Sequence, residues 1–356
     1  MTSLPASPID APRAAKRILA WPRDLRLNPM PGMVYDDMEQ GFGWRVRRFN
    51  YWRALIGSEA ILHVSFPNVV FRNRSKVVTL ARYALSATSL RAARFLGRRL
   101  VWTVHNLADH ESYHPRLEAR FMDFYTRLVD LAVHLSEAGR EVTMARYPRL
   151  GAIQNTVIPH PHYGEIIGER MSREAALARL GLPPDCKLIL AFGVVRRYKN
   201  LLKLIRAFND MPGNDTRLLI AGMPLDAGIA DAMKRVAGDG RVTLMLRTIK
   251  EPEIATLFSA ATLVVAPYLE ILNSGTAFMS LTYGRPILVP DRGALKELRT
   301  HVGDAWIKLF DAPLTPLELG DALYWAQQPR PPAPDLSRFA PQRIAASYDE
   351  AFAALI

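Results

Sequence analysis

The strongest constraint on the fold is an alternation. Short apolar runs of strand length are each followed by a stretch with helical character, along nearly the whole chain. In the first half, residues 16–21, 59–66, 99–104 and 130–136 read as strands, and 76–96 and 115–128 as helices. In the second half, 187–192, 217–222, 242–246, 262–265 and a run from 286 read as strands. Helices are expected at 201–209, from about 227, at 251–260 and at 277–283. A long Pro- and Asn-rich loop is expected at 22–32. Strands alternating with helices imply a parallel sheet covered on both faces. The class is therefore α/β, with two doubly wound, Rossmann-like domains, and ligands belong beyond the C-terminal ends of the strands.

A chain of 356 residues accommodates two such domains. We expect residues 1–163 to form the first, 164–335 the second, and 336–356 a C-terminal helix that returns to the first. That helix has an apolar stripe of Ile344, Tyr348, Phe352 and Leu355. A single cysteine, Cys186, excludes an internal disulfide and points to a reducing compartment. No apolar run approaches the roughly 18 residues of a membrane span. The expectation is a cytoplasmic chain with a loose N-terminal tail.

Charge is unevenly placed. Residues 1–150 carry 23 Lys/Arg against 13 Asp/Glu, and the remainder 23 against 21. Between Arg45 and Arg99 there are twelve basic residues and only Glu59 opposes them. A basic half calls for an anionic partner. The segment from Arg72 to Arg99 has an apolar body with basic residues mostly at its ends. It suits an anionic membrane surface, and equally a crossover helix with a solvated basic face. No nucleic-acid module is recognisable, so nucleic acid is not the expected partner.

Three polar clusters fall at strand ends. Asn273-Ser274-Gly275-Thr276 sits where a strand feeds a helix, whose free N–H groups and dipole favour a phosphate or diphosphate. The alternative is a simple N-cap by Ser274 or Thr276. Gly193 opens the strand end before Arg196 and Lys199, which are spaced to reach one anion. His105-Asn106-Leu107-Ala108-Asp109-His110-Glu111 packs two imidazoles and two carboxylates into seven residues, as a general base at a crevice requires. Its spacing matches no zinc signature, and no metal or cofactor is expected. His160 and His162 fall at the end of the first domain and are candidates for the cleft between domains. His63, within an apolar strand, reads as a core histidine.

These residues resemble the GT-B glycosyltransferases. There an Arg…Lys pair after the first strand of the second domain and a later helix N-terminus hold the diphosphate of a nucleotide-sugar donor. Within that superfamily the chain looks like the xanthan-type bacterial exopolysaccharide β-mannosyltransferases. The likeness is carried by Phe192-Gly193…Arg196-Arg197-Tyr198-Lys199, His105-Asn106-Leu107…His110-Glu111, Pro267-Tyr268…Asn273-Ser274-Gly275-Thr276 and Pro334-Asp335-Leu336-Ser337. The resemblance implies mannosyl transfer from GDP-mannose to a polyprenyl-diphosphate-linked oligosaccharide, with inversion. It also implies a peripheral protein on the inner face of the bacterial inner membrane. Arg196, Lys199 and residues 273–276 would take the diphosphate, and Arg247, Thr248, Ile249 and Glu270 the nucleoside. Glu111 or Asp109 would be the base, with His105 orienting sugar or phosphate. Many relatives carry two glutamates eight apart, and here Ile271 and Met279 stand at those places. A UDP-sugar transferase of the same architecture, or a non-catalytic protein binding sugar nucleotide or lipid, stays open.

Overall fold

The computed structural model describes residues 16–24, 29–109, 112–164, 168–238, 240–269, 272–311 and 313–356. The first half contains β1 (Arg17–Trp21), α1 (Met30–Phe42), β2 (Arg45–Arg48), α2 (Tyr51–Ile56), β3 (Ile61–Val64), α3 (Lys76–Phe95) and β4 (Arg99–Val104). It continues with α4 (Pro115–Thr126), β5 (Leu131–His134), α5 (Glu137–Arg146) and β6 (Gln154–Val157). Its sheet is parallel throughout, in the order β2-β1-β3-β4-β5-β6.

The second half runs α6 (Arg173–Arg179), β7 (Lys187–Phe192), α7 (Leu201–Asn209), β8 (Thr216–Ala221), α8 (Ala227–Val236), β9 (Val242–Met245) and α9 (Glu251–Ala260). Then come β10 (Leu263–Val265), α10 (Gly275–Thr282), β11 (Ile287–Pro290), α11 (Gly293–Val302), β12 (Ile307–Phe310), α12 (Pro316–Trp325) and α13 (Pro341–Ala353). This sheet is also parallel, ordered β12-β11-β10-β7-β8-β9. The order reverses between β7 and β10, and between β1 and β3 in the first sheet. Crevices for ligands open at such reversals.

Interior strands are continuously buried, as strands covered on both faces must be. The expected interior strands are all present. Three strands that the apolar pattern does not reveal, β2, β6 and β12, all lie at sheet edges. β2 reads Arg-Val-Arg-Arg and buries only Val46; charge on an edge strand discourages pairing with another chain. The expected loop at 22–32 gives way at Met30, where α1 begins with Pro31 in its first turn, a position that tolerates proline.

One face of the first sheet is covered by α1 and α13, the other by α2, α3 and α4. The returning helix α13 buries Ile344, Tyr348 and Phe352 against Ile18, Tyr35 and Val101. Asp349 fixes it by accepting from Lys16 Nζ at 2.6 Å and Trp44 Nε1 at 2.7 Å. His63 is the core histidine the sequence implies: its ring sits between Tyr35 Oη and Thr103 Oγ1, each at 2.7 Å. Cys186 is buried and free.

Candidate functional site

The loop after β7 and the loop after β10 face each other at the reversal point of the second sheet. Gly193 ends β7 with φ 105°, a conformation that a side chain resists. A Cβ there would lie 2.8 Å from Lys199 Nζ and 3.5 Å from Thr276 Oγ1. The glycine therefore lets Lys199 fold back under the strand end. Its Nζ donates to the Phe192 carbonyl at 3.4 Å and stands 5.4 Å from the centre of the Tyr268 ring. Tyr268 Oη donates to Thr276 Oγ1 at 3.0 Å, and Thr276 Oγ1 donates to the Phe192 carbonyl at 3.3 Å. Lys199 is only 8% exposed, and among the described residues no carboxylate pairs with it. Burial pushes its ammonium down to about 8, with the positive charge of Arg196 acting in the same direction and Tyr198 opposing. Arg196 is half-buried three residues before it.

The helix start divides its predicted roles. Ser274 is the N-cap of α10, its Oγ accepting from the Ala277 N–H at 3.2 Å, so the capping reading holds for this hydroxyl. Gly275 has a different reason from the one the sequence implies. A Cβ at 275 would lie 2.8 Å from Tyr163 Oη and 3.8 Å from His160 Nε2, so its smallness accommodates the chain's own side chains. The N–H groups of the first turn still carry the positive end of the α10 dipole. Asn273 reaches across to the first domain: its Nδ2 donates to the carbonyls of Val104 at 3.5 Å and His105 at 3.4 Å. The two polar clusters, far apart in sequence, thus meet.

On the first-domain side, His105 is buried and stacked on Phe66 with ring centres 4.6 Å apart. Burial pushes its imidazole down to about 3, with His160 and His63 adding to the effect. Near neutral pH it is uncharged and a weak base, suited to hydrogen bonding rather than proton abstraction. Asp109 is buried and ion-paired with Arg72, and its backbone N–H donates to Glu118 Oε1 at 2.7 Å. His110 and Glu111 lie outside the described residues, as do Glu270 and Ile271.

His160 is also buried. Its Nδ1 is 2.7 Å from the Pro161 carbonyl, its Nε2 is 3.3 Å from Tyr163 Oη, and its ring stacks on Phe278. Burial pushes it down to about 4. It packs beneath α10 and beside a recess, open to solvent, that Ser136, Asn273, Ser274, Glu297 and His301 also line. His162 is turned into a local contact, its Nδ1 accepting from the Gly164 N–H at 2.9 Å. Arg247 is exposed and bound in bidentate fashion to Glu253 at 2.9 and 2.5 Å. Thr248 Oγ1 donates to Met223 Sδ at 3.6 Å, and Ile249 packs on the domain core. Among the described residues, no group of three His, Cys, Asp or Glu is placed to hold a metal ion.

Three contributors are missed in the sequence reading. Tyr268 lies in a quoted motif, yet its place beside Lys199 has no sequence signal. Tyr163 follows the His160 cluster and sits under Gly275. Glu297 on α11 accepts from the N–H groups of Glu137 at 3.1 Å and Ala138 at 2.9 Å, capping α5 of the other domain. Ser136 takes the next N–H, that of Gly139, at 2.9 Å. A carboxylate at a helix N-terminus satisfies both hydrogen bonding and the dipole. Glu297→Ala is expected to lower the unfolding free energy by about 1 kcal/mol. It should also raise protease susceptibility in residues 158–172, where the chain passes between domains. Urea denaturation and timed digestion check this, and an unchanged digestion pattern would show that the contact does not hold the domains together.

No family model matches the chain. In sequence it is 28% identical over 333 residues, covering 92% of this chain and 88% of the relative, to a GDP-mannose:glycolipid 4-beta-D-mannosyltransferase of Xanthomonas campestris pv. campestris. In structure it resembles a sucrose-phosphate synthase from Thermosynechococcus elongatus. There the TM-score is 0.62 and the identity 19%, over 91% of this chain and 78% of the other. It also resembles WaaG, a glycosyltransferase involved in lipopolysaccharide biosynthesis, with TM-score 0.60 and 14% identity over 94% and 95% of the two chains. The two parallel sheets with their reversal points and the returning α13 are those of that architecture, and the chain has the GT-B fold.

Proposed function

We propose that the protein transfers a mannosyl residue from GDP-mannose to a lipid-linked oligosaccharide, with inversion at the anomeric carbon. The observation that carries the donor site is Lys199: a buried ammonium at the sheet's reversal point with no carboxylate partner among the described residues. A buried cation without a counter-charge is costly, and a bound diphosphate would supply that charge. The sugar and nucleotide follow from the mannosyltransferase relative. A polyprenyl-diphosphate carrier, a role in exopolysaccharide synthesis and a place on the inner face of the inner membrane are further parts of the same reading. They are supported by that relative and by the basic first half.

In this mechanism the donor diphosphate lies between Lys199, Arg196 and the first turn of α10. As the bond from the anomeric carbon to the phosphate oxygen breaks, negative charge grows on the diphosphate, and these groups stabilise it without a metal. An acceptor hydroxyl attacks from the first-domain side and forms the new glycosidic bond, passing its proton to a base. Glu111 is assigned as that base, since Asp109 is held by Arg72 and His105 is kept neutral. His105 orients the sugar or the phosphate. Arg247, Thr248, Ile249 and Glu270 remain the proposed nucleoside contacts.

A nucleotide panel tests the reading. GDP and GDP-mannose are expected to raise the melting temperature by several degrees, with smaller shifts from UDP, ADP and their sugars. Membrane extract plus labelled GDP-mannose should then yield labelled glycolipid. Stabilisation by UDP-sugars alone would replace the donor, and binding without any transfer would favour a non-catalytic protein.

A further inference from the structure

Three arginines of the second domain, Arg170, Arg173 and Arg285, come together away from the crevice. Helix α10 starts at the crevice and has eight residues, so it ends about 12 Å away, towards the opposite end of the sheet. The chain then turns at Gly284, which has φ 65°, and enters β11 through Arg285 and Pro286. The backbone of Arg285 is fixed on both sides: its N–H donates to the Ser280 carbonyl at 2.9 Å, and its carbonyl accepts from Ser280 Oγ at 2.9 Å. The Pro286 carbonyl takes the Val264 N–H at 3.0 Å, which sets Arg285 near Thr262 at the foot of β10. Arg173 Nη2 donates to Thr262 Oγ1 at 3.1 Å and also to the Cys186 carbonyl. Arg170 Nη2 donates to the carbonyl of Thr282, the last residue of α10.

The charge in this place is not balanced. Among the described residues, no carboxylate pairs with any of the three guanidinium groups. Arg170 and Arg173 serve backbone carbonyls, as cations at a helix C-terminus do. The guanidinium of Arg285 serves none: its Nε is shut off from solvent without an acceptor, and its two outer nitrogens face solvent. Burial pushes this group below its ordinary value, and the charges of Arg173 and Arg170 push the same way. Tyr283 Oη, two residues earlier, is another buried polar atom without a partner. Its ring stacks on Phe258 with centres 5.1 Å apart. Burial pushes the Tyr283 hydroxyl up to about 12, Glu251 adds to this, and Arg170 opposes it. A half-buried cation beside two like charges is unfavourable unless an anion joins it.

We propose that these arginines form a second anion site, which takes a phosphate group, free or as a monoester. Guanidinium grips phosphate oxygens through parallel N–H donors, and the outer edge of Arg285 presents two of them end-on. Arg170 is exposed and uses Nη2 on Thr282, so its other donors are available to the same ligand. Arg173 adds charge rather than a contact, because Nη1 and Nη2 already serve the Pro184 and Cys186 carbonyls. A phosphate group, which carries close to two charges, answers three cations better than a carboxylate does. The site shares no residue with the donor site and lies at the other end of α10. An anion held here fastens residues 170–173, where the chain enters the second domain, to the foot of that helix.

The test is titration calorimetry of the full-length protein with inorganic phosphate at constant ionic strength. It is run on wild type and on Lys199→Met, which removes the donor-site cation. Lys199→Met is expected to keep one phosphate site. In that background Arg285→Met and Arg170→Met should each weaken phosphate at least about ten-fold. Arg285→Met exchanges an uncompensated charge for an apolar chain, so without phosphate it should melt no lower than its parent. The rise in melting temperature that phosphate gives should shrink in both arginine variants. Arg170 is exposed, so its replacement leaves the core untouched and supplies a second reading. Methyl phosphate separates the two sources: tighter binding than phosphate identifies a monoester, weaker binding the free ion, and either supports the site. Loss of all phosphate binding in Lys199→Met would place the anion in the donor site and overturn the proposal. Undiminished binding after either arginine replacement, or equal binding of chloride, would overturn it as well.

Discussion

Replacing Lys199 by methionine is expected to lower donor turnover by about 10²- to 10³-fold while leaving the protein at least as stable. The catalytic part follows from its place. A preorganised cation aimed at a charge that develops in the transition state is worth that much when removed. The stability part follows from its burial. The fold holds the ammonium at about 8, against an ordinary 10.5, because desolvation penalises the charge. At neutral pH that shift corresponds to about 3 kcal/mol of unfavourable burial, which an apolar side chain of similar length relieves. Since the folded value lies below the unfolded one, the wild-type protein gains stability as pH rises from about 8 towards 10.5. The variant should lack that rise. Turnover at low donor concentration should fall above pH 8 in wild type, as the charge is lost. Steady-state kinetics and urea midpoints across pH 6.5–9.5 check all three expectations. A variant within about three-fold of wild-type turnover would remove Lys199 from the donor site.

Acid is expected to destabilise the protein steeply before the carboxylates titrate. His63, His105 and His160 are all buried, and burial holds them neutral at about 3, 3 and 4. The unfolded chain binds a proton on each below its ordinary value of 6.5. Stability is therefore fully present above pH 6.5 and is lost as pH falls below it. Each histidine contributes about 1 kcal/mol over the first pH unit below 6.5, approaching about 1.4 kcal/mol per unit further down, so the three together remove about 3 kcal/mol between pH 6.5 and 5.5. That is a large part of the 5–15 kcal/mol typical of a folded domain. His63 gives the cleanest separation, because its shift comes from burial alone. His63→Gln should lower stability at pH 7.5 by disturbing the bonds to Tyr35 and Thr103, yet flatten the acid slope by about a third. Denaturant midpoints at pH 7.5, 6.5 and 5.5 read both effects. An unchanged slope in the variant would assign the acid sensitivity to other groups.

The candidate site was legible where its chemistry is local. Arg196 and Lys199 follow a strand and a glycine within seven residues. Asn273 to Thr276 bridge a strand and a helix. Such short-range order survives as spacing. The roles within each cluster were less legible. For Ser274 the sequence leaves a ligand contact and a helix cap both open, and it is a cap; Gly275 reads as open to a phosphate, and Tyr163 lies against it. Asp109 reads from the sequence as a candidate base and His105 as a group that orients sugar or phosphate; in the structure Asp109 is ion-paired with Arg72 and His105 is buried and neutral. Each of these outcomes depends on a neighbour distant in sequence.

By itself the sequence determined the two sheets, because strands buried on both faces must be apolar along their length, and it determined which loops end at the crevices. It also determined the returning helix, whose stripe of Ile344, Tyr348 and Phe352 needed a partner surface. Only the tertiary structure decided the edge strands β2, β6 and β12, since a strand paired on one side need not be apolar. Only it decided that Asn273 crosses to the carbonyls of Val104 and His105, that Glu297 caps α5, and that Lys199 lies buried beside Tyr268. Those contacts join residues from different parts of the chain, and nothing in local periodicity encodes which distant groups will share one desolvated space.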